Sequence, residues 1–303
     1  MQVLIDARAA AGEKGDEIDG ARRFWTAYTG ALAQPVPSDM TLRDTIVPTP
    51  DHQVPVRIYR SAGGDEPRPC IIYLHGGGFM LGDLDSSDSI AWGFAQNTGA
   101  VVISVDYRLT PDHPYPAAFN DTYETLCHVA ANPADFGIDP GRIVLAGDSA
   151  GASLSAAVCL AARDRGGPRV VAQALIYTVS GADQSYQSYI EHADTPTLTT
   201  AGMTVINARY LPADGDRDDP YACPAMATDH SNLPPAWVHS AEIDPIRDDG
   251  RVLASKLALA GNNVTYREGR GMIHGFMRAR FTGATAKAEF DAICRFLKLH
   301  LGD

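Results

Sequence analysis

Short apolar runs separated by helix-length segments recur along most of this chain, and that alternation limits its fold more than any other feature. The runs fall at 70–74, 101–107, 142–146, 170–177, 236–241 and 264–268, with helix-length stretches at 86–98, 117–131, 150–163 and 247–260. Strand, helix, strand repeated this way requires right-handed crossovers and a mostly parallel sheet covered on both faces. The near-continuous apolar character of the runs agrees with burial from both sides. The expected class is therefore α/β, with functional groups gathered at the carboxyl ends of the strands.

Two regions break the rhythm. Residues 1–45 read as amphipathic helices: Ile18, Ala21, Phe24, Trp25 and Tyr28 recur at steps of three and four, with Glu13, Asp16, Glu17, Arg22 and Arg23 supplying charge. Residues 54–59 alternate like an exposed strand, and 61–69 form a Gly/Pro-rich turn. Residues 181–230 carry Tyr186, Tyr189 and Tyr210, an acidic turn at 214–219 and no convincing buried strand. The expectation is one folded unit: N-terminal cap helices at 1–45, core at 46–180, cap insertion at 181–230, and core again at 231–303. The two cap segments would form a lid over the carboxyl edge of the sheet.

The 303 residues carry 25 basic and 37 acidic side chains, a net charge of −12. A field of that sign repels phosphate, which argues against nucleic acid or an anionic membrane as the partner. The opening Met-Gln-Val-Leu-Ile reaches Asp6 and Arg8 before an apolar core of signal-peptide length can form. Cys70, Cys127, Cys159, Cys223 and Cys294 lie far apart, as reduced thiols rather than a disulfide frame or a zinc site. A cytoplasmic location is expected.

Gly147-Asp148-Ser149-Ala150-Gly151 stands between the run at 142–146 and a helix of small residues. A serine in such a strand-to-helix turn is held in a strained backbone with its hydroxyl above the sheet edge. The flanking glycines are needed because side chains there would meet the neighbouring strand and helix. The bland alternative is an ordinary βα turn. His75-Gly76-Gly77-Gly78-Phe79 ends the run at 70–74. Its glycines let main-chain N–H groups point at a developing oxyanion, and the amides of Gly76, Gly77 and Ala150 are the expected donors. The alternative is a flexible glycine turn. A phosphate loop is excluded, since the lysine of that motif is missing and Leu81 stands where a dinucleotide fingerprint needs glycine.

A serine nucleophile needs a base, and the base needs a carboxylate to orient it. His274 lies beyond the last apolar run, with 269–273 read as loop, and Asp244 follows the run at 236–241. The order Ser149, Asp244, His274 is that of an α/β-hydrolase. His75 competes with His274 and is read as structural support for the glycine loop. Glu242, Asp248 and Asp249 compete with Asp244. Pro245 biases Asp244 towards an extended loop, whereas Asp248 and Asp249 are expected to enter the next helix as capping or surface charge, and Glu242 to orient the loop. The elbow should point Asp148 away from Ser149.

Together, His75-Gly-Gly-Gly-Phe79, the stretch from Asp106 to Ala118, Gly147-Asp-Ser-Ala-Gly151, Asp244-Pro-Ile-Arg-Asp248 and His274-Gly-Phe276 resemble the hormone-sensitive lipase family, in particular its bacterial esterases. The resemblance runs from about Asp44 to the C-terminus. It implies an α/β-hydrolase core with a helical cap and hydrolysis of short-chain carboxylic esters, a small-molecule substrate class, without metal or cofactor. It also implies Ser149 as nucleophile, His274 as base, Asp244 as its partner, and Gly76, Gly77 and Ala150 as the oxyanion hole. The stretch from Asp106 to Ala118 resembles a structural loop and is given no chemistry. Ala152-Ser153 departs from the Gly-Asn that usually follows this elbow.

Trp25, Tyr28, Tyr186 and Tyr210 could wall a pocket, although aromatic residues at helical spacing usually pack a core. Amide hydrolysis and acyl transfer to an alcohol stay open, because both use the same acyl-enzyme. A non-catalytic receptor on this fold, as in some plant hormone receptors, would lose the histidine that is present here as His274. A homodimer stays open as the assembly, since related esterases are often dimers.

Overall fold

The computed structural model describes residues 1–13, 15, 17–64, 66–181, 183–211 and 215–302. Asp16 and Asp214, counted above in the N-terminal helices and the acidic turn, lie outside them. One eight-stranded sheet has the order β1-β2-β4-β3-β5-β6-β7-β8. Its strands are β1 (Met40–Pro48), β2 (Gln53–Ser61), β3 (Arg68–Leu74), β4 (Val101–Val105), β5 (Ile138–Asp148), β6 (Ala172–Ile176), β7 (Ala236–Ile243) and β8 (Val264–Ile273). β2 runs antiparallel to both β1 and β4, and every other pairing is parallel.

The apolar runs are continuous because each strand feeds two cores. On β5, Ile143 and Leu145 join the cluster on one face while Val144 and Ala146 join the other. α4 (Ala117–Ala131), α6 (Ala150–Asp164) and α9 (Arg247–Leu259) cover the first face, with α5 (Pro133–Phe136) as a short turn beside them. α3 (Leu84–Thr98) and α10 (Ala284–Leu301) cover the second. This alternation of facing side chains across a fully covered sheet is what a period of two produces.

Above the carboxyl edge lie α1 (Gln2–Ala10) and α2 (Ile18–Gly30), with α7 (Gln187–Glu191) and α8 (Thr200–Tyr210) from the insertion. Leu4, Phe24 and Tyr28 are buried and tie the N-terminal helices to the second core. The insertion docks through Tyr210, whose ring stacks on Phe79 at 3.6 Å and whose carbonyl accepts the Tyr115 N–H at 3.0 Å. The Asp106-to-Ala118 stretch, through Tyr115, thus contacts the insertion. Among the described residues no helix is long and apolar enough to cross a membrane.

Three details depart from the sequence expectations. β1 opens at Met40, inside the segment expected to be cap helix; it is an edge strand, exposed along most of its length, so no apolar alternation marks it. Residues 269–273, read as loop, complete β8. α10, whose buried face includes Phe290, Ile293 and Leu297, was not anticipated.

Candidate active site

The end of β5 turns into α6 at Ser149, whose φ of 55° and ψ of −120° lie where side-chain-bearing residues are strained. The strain is held from both sides. The Ser149 N–H donates to the Ile176 carbonyl at 2.9 Å, and its carbonyl accepts from the Ala152 and Ser153 N–H groups. A Cβ at Gly147 would stand 2.2 Å from the Gly151 carbonyl oxygen, and one at Gly151 would stand 1.9 Å from that of Leu74. Glycine is required at both positions because backbone, which cannot move aside, occupies the space.

Asp244 follows directly on β7 and is fully buried. Its Oδ1 accepts the Ile246 N–H at 3.1 Å, and its Oδ2 lies 2.8 Å from His274 Nδ1. His274 follows directly on β8, its ring against that of Tyr177 at 4.8 Å, and its Nε2 is 3.0 Å from Ser149 Oγ. With Asp244 accepting the Nδ1 proton, Nε2 presents its lone pair to the serine hydroxyl. Three parallel strands therefore deliver hydroxyl, imidazole and carboxylate into one hydrogen-bonded line.

The glycine loop behaves differently from expectation at one position. The Gly76 N–H donates to Asp148 Oδ1 at 2.9 Å, so it is already committed and unavailable to an oxyanion. By contrast, the Gly77 and Gly78 N–H groups and that of Ala150, the first residue of α6, meet no acceptor among the described residues. Gly77 has φ +140°, and a Cβ there would sit 2.0 Å from the Leu81 carbonyl oxygen, so glycine is enforced there too. Nothing within a Gly-Gly-Gly run distinguishes its three amides, so the sequence alone cannot separate them. The distinguishing acceptor is Asp148, far away in the chain.

Asp148 is the residue whose part was missed. Its side chain does avoid Ser149, yet it accepts from the Tyr73 hydroxyl at 2.6 Å and the Tyr177 hydroxyl at 3.2 Å besides Gly76. It clamps the glycine loop to the elbow and to the tyrosine beneath His274.

The remaining rivals find structural partners. His75 is buried and stacked on Tyr107 at 4.4 Å, with Nδ1 3.0 Å from the Gly76 carbonyl oxygen. Glu242 accepts the Gly271 N–H at 2.6 Å and braces β7 against β8. Asp248 stands in the first turn of α9, accepting from Arg247 and from the Ser188 N–H. Asp249 corrects the expectation of surface charge. It is fully buried, it accepts the Ser180 and Gly181 N–H groups, and burial raises its pKa to about 7.

A cleft of about 90 Å³ opens over Ser149. Trp25, Tyr28, Met80, Leu198, Met203 and Ile206 are among the apolar residues that line it. Of the cap aromatics considered, Trp25 and Tyr28 reach the cleft; Tyr210 lies behind it against Phe79, and Tyr186 packs against the first core.

A family model described as an alpha/beta hydrolase fold matches residues 71–278. Carboxylesterase NlhH of Mycobacterium tuberculosis is 42% identical over 227 residues, covering 74% of this chain and 71% of that protein. Ethyl acetate hydrolase of Pseudomonas putida is 32% identical over 285 residues, covering 91% and 89%. Among solved structures, a thermostable esterase from Pseudomonas putida superposes with a TM-score of 0.94 at 29% identity over 100% of this chain and 98% of that one. The Pyrobaculum calidifontis esterase does so with 0.89 at 34% identity, covering 95% and 94%.

Proposed function

Since the chain belongs to the bacterial esterases of hormone-sensitive lipase type within the α/β-hydrolase fold, we propose that it is a serine carboxylesterase acting on short-chain acyl esters, with Ser149, His274 and Asp244 as its triad. The observation that carries this reading is the line from Ser149 Oγ to His274 Nε2 at 3.0 Å and from His274 Nδ1 to Asp244 Oδ2 at 2.8 Å.

In this reading Ser149 Oγ attacks the ester carbonyl as His274 takes its proton, and Asp244 stabilises the imidazolium. The N–H groups of Gly77, Gly78 and Ala150 receive the oxyanion, with Gly76 holding the loop through Asp148 rather than donating. His274 then protonates the departing alcohol, and water repeats the sequence on the acyl-enzyme. The limited cleft between Trp25, Tyr28 and the insertion supports a short acyl group. The two segments, 1 to about 39 and 181–230, serve as the cap that closes it.

The five cysteines, free in the structure, support a reducing, cytoplasmic setting. β8 ends the sheet with one edge unpaired, which supports a homodimer; a monomeric mass by light scattering would remove that part.

The test is covalent. A fluorophosphonate should label the wild type on Ser149 and leave Ser149→Ala unlabelled, and the same variant should fold normally and lose turnover of p-nitrophenyl acetate. Turnover retained by Ser149→Ala overturns the assignment.

A further inference from the structure

Two guanidinium groups stand on the wall of the cleft, from Arg8 on α1 and from Arg278, four residues beyond His274. In a chain of net charge −12, carboxylates are in excess, and Arg22, Arg57, Arg108, Arg247, Arg251 and Arg267 each engage one. Among the described residues, neither Arg8 nor Arg278 has a carboxylate within salt-bridge distance. The acid in the same cleft, Asp148, is occupied by Tyr73, Tyr177 and the Gly76 N–H.

Arg278 is only 5% exposed. Its Nη1 donates to the Ser86 carbonyl, while its Nη2 is buried with no partner. The guanidinium lies over the Trp25 ring at 5.3 Å, and that of Arg8 over Phe24 at 5.0 Å. A cation over a ring satisfies the face of the guanidinium but leaves its in-plane N–H donors open. Those donors match a carboxylate in geometry and charge. Burial also pulls the Arg8 pKa below its ordinary value, as expected of a cation lacking a counter-ion.

Arg280 shows what a purely structural arginine looks like here. It too has a buried nitrogen, Nη1, with no partner among the described residues, but it is enclosed by the rings of Trp92, Phe281 and Phe290 and does not reach the cleft.

We propose that Arg8 and Arg278 form an anion subsite beside Ser149, and that the ester taken by this cleft carries a carboxylate on its acyl or its alcohol part. The inference rests on the esterase reading above and names its substrate class. A bound carboxylate would supply the acceptor that Arg278 Nη2 lacks and neutralise two cations gathered at the cleft. Neutral esters would leave both unpaired.

Two matched pairs of esters test it. p-Nitrophenyl hydrogen glutarate against p-nitrophenyl pentanoate places the carboxylate on the acyl side; p-acetoxybenzoate against p-tolyl acetate places it on the alcohol side. In one pair the wild type should favour the anion in kcat/KM by about tenfold or more, the advantage shrinking as salt is raised. Arg8→Met and Arg278→Met should each reduce that ratio by about tenfold. Arg8 lies on a half-buried cap helix, so its variant and the salt titration decide the matter even if Arg278→Met fails to fold. A wild-type ratio at or below unity in both pairs, or one that Arg8→Met leaves unmoved, overturns the subsite. Turnover of the neutral esters with no anion preference removes the subsite alone; no turnover of any ester removes the esterase reading and the subsite with it.

Discussion

Asp148 Oδ1 accepts the Gly76 N–H at 2.9 Å, joining two strand ends 72 residues apart in the chain. This one bond sets the glycine loop against the serine elbow and decides which glycine amides remain free. Asp148 also holds Tyr177, on which His274 rests. Removing it should therefore disturb the placement of the oxyanion donors more than substrate binding. Asp148→Ala should lower kcat by about a hundredfold with a smaller change in KM, the loss typical of one displaced donor. Asp148→Asn, which keeps an acceptor for Gly76, should recover much of the loss. Equal damage from both variants in steady-state assays would speak against a positioning role.

Asp244 Oδ2 stands 2.8 Å from His274 Nδ1, where it can accept the Nδ1–H hydrogen bond and hold the ring in one tautomer. Asn at that position presents an N–H as readily as an oxygen and so favours the wrong tautomer. Asp244→Asn should fold and bind ester with little change in KM while kcat falls by about a thousandfold or more. A loss of less than about tenfold in stopped-assay kcat would show that another group does this work.

Gly151 faces the Leu74 carbonyl, where an added Cβ would come within 1.9 Å. Neither backbone can retreat, because Leu74 is paired in the sheet and Gly151 lies in the first turn of α6. Gly151→Ala should destabilise the protein by about 3 kcal/mol or more, read as a lower urea midpoint or loss of soluble protein. A midpoint unchanged from wild type would contradict the packing described.

Asp249 is buried with its pKa raised to about 7, chiefly by desolvation. The folded protein thus holds a proton that the unfolded chain releases near the ordinary carboxylate range. Stability contributed by that proton is complete below the unfolded pKa and is lost as pH rises through about 7. Asp249→Asn keeps an acceptor for the Ser180 and Gly181 N–H groups and cannot ionise. Its stability relative to wild type should increase between about pH 5 and pH 8, by about 1 kcal/mol or more in urea denaturation. A difference that stays flat across that range would mean that Asp249 is not neutral when buried.

The fold was legible where burial imposed a pattern. β3 to β7 are legible because strands covered on both faces must be largely apolar. β1 is not, because an exposed edge strand is held by main-chain hydrogen bonds that any side chain permits. The tail of β8 reads as loop because Gly269 and Gly271 interrupt it, although its register with β7 resumes at Ile273.

The same division holds in the site. The flanking glycines single out Ser149 in the sequence, and chain order singles out Asp244 and His274, since these are constraints of local backbone and topology. The choice among Gly76, Gly77 and Gly78 depended on an acceptor brought in by β5, and the burial of Asp249 on loops brought in by the cap. Arg8 and Arg278, which meet at the cleft, belong to α1 and to the segment after His274, which have no relation in sequence. Local spacing determined which groups could react; only the packing of distant strands and cap determined which donors were free to meet a substrate, because a hydrogen bond is satisfied by whatever lies nearest in space.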